Sequence, residues 1–257
     1  MKLSPVSGRV SQMLMAFAEE HGGRKTVSLQ SLLVDGYPLV RMFKDLKPVL
    51  YDAASCKDFD PGMVLYTVYR GLYPDEHGRA LLMKHDLRYD VTVMPSVMLG
   101  REYVKTIGHE HQIVEGVWSD PEVLEVLEGE ASFLIERYKE EEVADVSLVT
   151  AHEGDVVIVP PYSGHVTINV SSQELVVGNL VSQYCLERHE RFVMRRGGSY
   201  YLLEKRQLVK NASYGSVPEV RVVDAVDNPA VQMAGGLLRS FMSRPNDFEF
   251  LTKPWAY

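Results

Sequence analysis

Cysteine is scarce, with Cys56 and Cys185 the two in 257 residues. Two such thiols make neither a disulfide framework nor a zinc-type spacing, so reduced thiols in a cytoplasmic protein are the expectation. No stretch approaches the about 18 apolar residues of a membrane-spanning helix. The early apolar run Met13-Leu-Met-Ala-Phe17 is soon followed by Glu19 and Glu20, which reads as a short amphipathic helix and not a signal peptide. Positive charge is in deficit, 27 Lys and Arg against 35 Asp and Glu, for a net charge of -8. That balance repels a nucleic-acid backbone but leaves room for one phosphate held by a few local donors. Also missing are a phosphate-cradling glycine loop, a dinucleotide fingerprint, a nucleophile elbow, a metalloprotease His-Glu-x-x-His, internal repeats and any low-complexity linker.

What remains is an ordinary globular composition, 46% hydrophobic and 24% charged. Residues 1–50 read as an N-terminal extension, partly helical, with one helix over Ser11–His21 and a further turn or strand over Ser28–Val34. From about Gly62 the texture becomes that of short strands: Met63–Arg70, Arg88–Met94, Glu102–Ile107, Val123–Leu127, Ala131–Tyr138, Val156–Val159, Val166–Val170, Leu175–Ser182 and Tyr200–Glu204. They are rich in β-branched and aromatic residues and mostly bounded by Gly, Pro, Asp, Asn or Ser, which points to a sandwich or barrel over residues 51–205. Glu140-Glu141-Glu142 reads as a hairpin tip. Residues 206–257 form a C-terminal extension, with a helix over Pro229–Met242 and an aromatic tail that docks on the barrel or on a partner chain.

Two segments carry chemistry. In Gly108-His109-Glu110-His111 the histidines lie two apart, so on a strand both imidazoles face one side. Two imidazoles on one face can grip a metal ion, and Glu122, beyond a loop with Gly116, Ser119, Asp120 and Pro121, can add a carboxylate. The second segment runs from Gly154 through Val156–Val159 to Pro160-Pro161-Tyr162-Ser-Gly-His165-Val-Thr167-Ile-Asn169. The prolines end a buried strand because they cannot donate to a ladder, and His165 opens the next one.

These segments resemble the two motifs of the cupin barrels. Gly100, His109, His111, Glu122 and Gly129 follow the first pattern with lengthened gaps; Gly154, Pro160, His165 and Asn169 follow the second, with Tyr162 where the pattern has glycine. The lengthened gap, Thr106-x-Gly108-His109-x-His111 and Val159-Pro-Pro-Tyr162-x-x-His165-x-Thr167-x-Asn169 are similar to the cupin-type glucose-6-phosphate isomerases, found mainly in archaea. The resemblance covers roughly residues 60–185. It implies an all-β cupin (jelly-roll) barrel with helical N- and C-terminal extensions. It implies one divalent metal ion per subunit on His109, His111, Glu122 and His165, with Fe²⁺ first and Mn²⁺, Ni²⁺ or Zn²⁺ as alternatives. It further implies substrate contacts from Tyr66, Thr92, Thr106 and Gly108, with Tyr162 a family-typical residue added to the substrate-binding set, a sugar-phosphate substrate and a homodimer. Glu122 is the candidate catalytic carboxylate, as metal ligand, proton shuttle or both, with a hydride shift as the alternative route.

The sequence departs from that family at Leu124 and Val181, where the family offers tyrosines, which leaves the particular sugar open. A dioxygenase, a different sugar isomerase and a non-catalytic sugar-binding barrel stay as alternatives. Tyr66 and Tyr69 read equally well as barrel aromatics. Lys84, Arg88, Arg101 and Lys105 are candidate phosphate charges or solvated surface residues, and His189 is open between surface and cleft.

Overall fold

A computed structural model describes residues 38–114, 118–225 and 235–253. The expected helices within residues 11–34 lie outside the described residues. Two six-stranded sheets dominate. The first runs, in spatial order, Leu39–Met42, Val64–Tyr69, Leu87–Met94, Leu175–Ser182, Glu122–Glu128 and Val156–Val159. The second runs Glu187–Arg188, His109–His111, Ser163–Asn169, Glu130–Lys139, Glu142–His152 and Arg221–Asp224. Every ladder in both sheets is antiparallel except that between Glu142–His152 and Arg221–Asp224. This is the all-β barrel expected from the strand texture, with few helices.

Both sheets are covered on both faces, and strict alternation decides which residue goes where. Along Glu122–Glu128, Leu124 and Val126 enter the core between the sheets while Val123 joins the outer layer. Along Glu130–Lys139, Ala131, Phe133 and Ile135 point in and Leu134 points out. The outer face of the first sheet is capped by Leu82 of helix Glu76–Lys84, Leu237 and Phe241 of helix Leu237–Ser243, and Phe248 and Leu251 of the turn that follows. The outer face of the second is capped by Phe192, Tyr200, Leu202 and Tyr214.

Several elements differ from expectation. The Pro74–Gly78 turn signal is instead the start of helix Glu76–Lys84, with the Asp75 carboxylate accepting from Gly78 N–H at 2.8 Å. The C-terminal helix is described over Leu237–Ser243, preceded by Gly235 and Gly236 at φ +89° and +94°; residues 229–234 of the expected helix lie outside the described residues. The long strand Glu142–His152 was not read from the sequence, although the hairpin tip before it was. The Glu102–Ile107 run keeps only Glu102–Tyr103 as strand, and Lys105 turns inward.

That Lys105 is not a surface cation. It is 3% exposed, pairs with the 1% exposed Glu102, and donates to the Val49 carbonyl at 2.8 Å. Its ammonium also sits 4.8 Å from the Tyr201 ring centre, and Glu102 accepts from Tyr51 N–H at 2.8 Å. The pair ties segment 49–51 to the barrel. Lys105→Met should lower stability by about 3–5 kcal/mol, because it strands a buried carboxylate. The double variant Lys105→Met with Glu102→Gln should recover part of that loss. Denaturant unfolding of the cycle checks this; additive losses would show that the two charges do not act as a pair.

The helix Glu190–Met194 lays Phe192, fully buried, over two glycines of the histidine strands. A Cβ at Gly108 would stand 2.4 Å from the Phe192 ring, and one at Gly164 would stand 2.7 Å from the Tyr138 hydroxyl and 2.9 Å from Phe192. Gly108 also holds φ +87°. Gly164→Ala should therefore cost about 1–3 kcal/mol by overpacking. A denaturation midpoint equal to that of the parent chain would refute this contact.

Candidate metal centre

The histidine strands meet in register: His109 lies opposite His165, and Gly164 opposite Glu110. Because His109 and His111 share one face, Glu110 faces the other way, where Arg191 Nε donates to its carboxylate at 2.9 Å. The guanidinium of Arg191 also stacks 4.3 Å from the centre of the Tyr138 ring. That outward pairing pins the strand so that both imidazoles turn inward. On the opposite sheet Glu122 begins its strand beside Val159 and Val181, and alternation sends its carboxylate into the same space.

His109, Glu122 and His165 offer ligand atoms that all lie within 4.8 Å of one another. His111 adjoins them, its Nε2 being 3.5 Å from Glu122 Oε2; His165 Nε2 is 3.6 Å from the same oxygen. The ring centres of His109 and His165 are 4.4 Å apart, those of His109 and His111 5.3 Å. The connection from His111 to Glu122 carries a two-stranded ladder, Ile113–Val114 with Trp118–Ser119, where a plain loop was expected. Its end supplies the Asp120 carbonyl that accepts from His111 Nδ1 at 2.7 Å.

That hydrogen bond fixes the chemistry. With its proton on Nδ1, His111 presents a lone pair at Nε2 toward a carboxylate oxygen. Glu122 Oε2 is buried and has no hydrogen-bond partner among the described residues. Burial lowers the protonation range of His111 and drives those of His109 and His165 well down, so the rings stand as neutral imidazoles, the form that binds metal. Burial, reinforced by Glu187 and Asp90, pushes the Glu122 carboxyl up to about 8. Converging lone pairs around one dry carboxylate fit a divalent cation.

The cavity beside this cluster is lined by Tyr66, Thr92, Thr106, Gly108, His109, Glu122 and His165, so most of the residues singled out in the sequence come together. The Tyr66 hydroxyl receives Ile107 N–H at 3.4 Å, and Thr106 Oγ1 receives Thr167 N–H at 3.0 Å. Burial pushes the Tyr66 phenol up to about 12, keeping it a neutral donor. Tyr162 is not brought to the cavity: it is 42% exposed, at φ +59°, and its backbone N–H donates to Ser119 Oγ at 2.6 Å.

Other lining residues carried no motif signal. Arg41, Asp90, Asn179 and Glu187 belong to this group, and His189, left open above, also lies here. Asp90, Asn179 and Arg41 sit on strands at positions that face inward by alternation, and their polarity in otherwise apolar strands was the signal available. Of the candidate charges, Arg101 is exposed and paired with Glu204, Lys84 is exposed, and Arg88 is paired with Asp90.

Residues 40–219 match the model of the family described as glucose-6-phosphate isomerase (GPI). The chain is 27% identical over 141 residues to the glucose-6-phosphate isomerase of Pyrococcus furiosus, covering 53% of this chain and 66% of that one. It is 27% identical over 155 residues to that of Pyrococcus horikoshii, covering 58% and 73%. The chain thus spans about two thirds of the length of these relatives. Among solved structures, a mutant oxalate decarboxylase of Bacillus subtilis aligns at a TM-score of 0.35 and 15% identity over 48% of this chain and 28% of that one, too slight a likeness to bear on function. The family match takes in every side chain gathered around the cavity from Arg41 to His189, and the chain belongs to the archaeal-type cupin family of glucose-6-phosphate isomerases.

Proposed function

We propose that the chain is a metal-dependent aldose–ketose isomerase that interconverts glucose 6-phosphate and fructose 6-phosphate. One observation carries this reading within the family: the Nε2 atoms of His111 and His165 both face the unpartnered Oε2 of Glu122, at 3.5 and 3.6 Å. His109, His111, Glu122 and His165 would hold one divalent ion, with Fe²⁺ tried first. When bound, such an ion supplies Lewis-acid stabilisation of the negative charge that develops on the two sugar oxygens as hydrogen moves between C1 and C2.

The remaining work falls to side chains of the chain itself. Tyr66, Thr92 and Thr106 offer hydroxyls to the cavity, which Gly108 also lines. Val68, Leu124 and Val177 add apolar surface among these hydroxyls, Val68 and Val177 standing directly beside Thr92 across the sheet. Glu122 is the carboxylate in this reading that takes a proton from one carbon and returns it to its neighbour. Tyr162 has no part in it.

A coupled assay should show turnover of fructose 6-phosphate that is lost on chelation and returns with one of Fe²⁺, Mn²⁺, Ni²⁺ or Zn²⁺. His165→Ala should lose metal content together with activity. Indifference to both chelator and His165 would sink the metal reading, and turnover of other sugars only would sink the substrate assignment.

Glu122→Gln should lower kcat by about 10²–10⁴-fold. In D₂O the product of the parent enzyme should carry solvent deuterium at the former carbonyl carbon. Complete retention of the substrate hydrogen would instead indicate direct hydride transfer and remove Glu122 from the proton path.

A further inference from the structure

The charges around the cavity pair off with one exception. Arg88 Nε donates to both carboxylate oxygens of Asp90, at 3.0 and 2.8 Å, and Arg70 pairs with Glu187. Glu122 is committed to the centre proposed above. Arg41 has an imidazole where the others have a carboxylate: its Nη2 lies 3.5 Å from His189 Nε2. His189 Nδ1 donates to the Gly108 carbonyl at 2.8 Å, so its Nε2 holds the lone pair that can accept from the guanidinium.

The position is built. Leu39 and Arg41 face the cavity while Val40, between them, is exposed. Arg41 stands opposite Tyr66 in the ladder of the first two strands, next to the Tyr66 hydroxyl. Arg41 Nε is buried and has no hydrogen-bond partner among the described residues. A buried N–H of a cation without an acceptor is costly; Arg70 Nε is in the same state, but Arg70 is paired with Glu187 and does not line the cavity, so Arg41 is the cation that faces it. The hydroxyls of Thr92 and Thr106 line the same cavity, so neutral donors stand ready beside the fixed cation.

We propose that Arg41 is the anion-binding residue of this cavity and takes the phosphate monoester of the substrate through its guanidinium, with His189 as the positioning residue that orients it. The planar fork of arginine suits a phosphate, whereas a lysine ammonium would act only as a point charge. This inference rests on the reading of the cavity as a sugar-phosphate site, and it concerns binding, not turnover.

The test is calorimetric titration of the metal-loaded full chain with inorganic phosphate, fructose 6-phosphate and fructose. The parent chain should bind both phosphates and prefer fructose 6-phosphate to fructose. Arg41→Met should weaken both phosphates roughly tenfold or more, while fructose binding and metal content hold. Arg41→Lys, which keeps the charge and loses the fork, should show a smaller loss in the same direction, and stands in should Arg41→Met not fold. Parent-like phosphate affinity in Arg41→Lys and Arg41→Met, or a parent chain that binds fructose as tightly as fructose 6-phosphate, overturns the assignment. A parent chain that binds phosphate through Arg41 yet leaves fructose 6-phosphate unturned overturns the isomerase reading and upholds Arg41.

Discussion

A carboxylate placed in the dry interior of a barrel, with imidazoles facing one of its oxygens, governs everything else in this molecule. Glu122 is 5% exposed, and the bases that face its Oε2 bring lone pairs and no charge. Left so, the carboxylate would take a proton, as its raised range shows. A bound cation resolves the same conflict by satisfying the carboxylate and the imidazoles together. The arrangement is therefore strained toward one kind of occupant, and the surrounding structure must hold it in that state. The Asp120 carbonyl fixes the His111 tautomer, and the Arg191–Glu110 pair fixes the strand direction.

Rigidity of that kind comes from two-sided burial. A strand whose two faces are both covered cannot slip by one residue without exchanging its inner and outer sets. On the Ser163–Asn169 strand, such a slip would send His165 into the apolar layer with Phe192 and bring Val166 to the centre. Gly108 and Gly164 let Phe192 lie directly on the histidine strands, so the helix Glu190–Met194 acts as a clamp on the centre. Position is thus secured by packing outside the barrel as much as by contacts inside it.

Much of this was legible in the sequence, and for a physical reason. His109 and His111 are separated by one residue and Pro160 to His165 by a short turn, so period-two geometry alone assigns their faces. Glu122 was harder, since an unexpected ladder occupies the gap before it. Arg41, Asp90, Asn179 and Glu187 were not legible because each acquires meaning from a partner on another strand: Arg41 from His189, 148 residues away, and Glu187 from Arg70, 117 residues away. Lys105 looked like a candidate phosphate ligand by type, yet its partners Glu102 and Val49 use it to hold the chain together. Tyr162 carried a motif signal that belongs to a turn: its left-handed backbone and its bond to Ser119 join the two motif segments. A motif residue can be fixed by the shape of the chain and not by the ligand.

The departures at Leu124 and Val181 bear on the cavity in a connected way. Leu124 lies among the lining residues, opposite Asn179 in its ladder, while Val68 and Val177 flank Thr92 across the same sheet, so apolar and polar groups are interleaved on this face. A sugar phosphate is itself two-sided, with C–H faces and an anionic end. Arg41 is the one cation among the described lining residues, which also include the carboxylates Asp90, Glu122 and Glu187, so under the proposed function charge orients the anionic end toward Arg41. With leucine at 124 and valine at 181, the proposed reading gives that much more weight to Arg41, the one cation among the described residues that line the cavity.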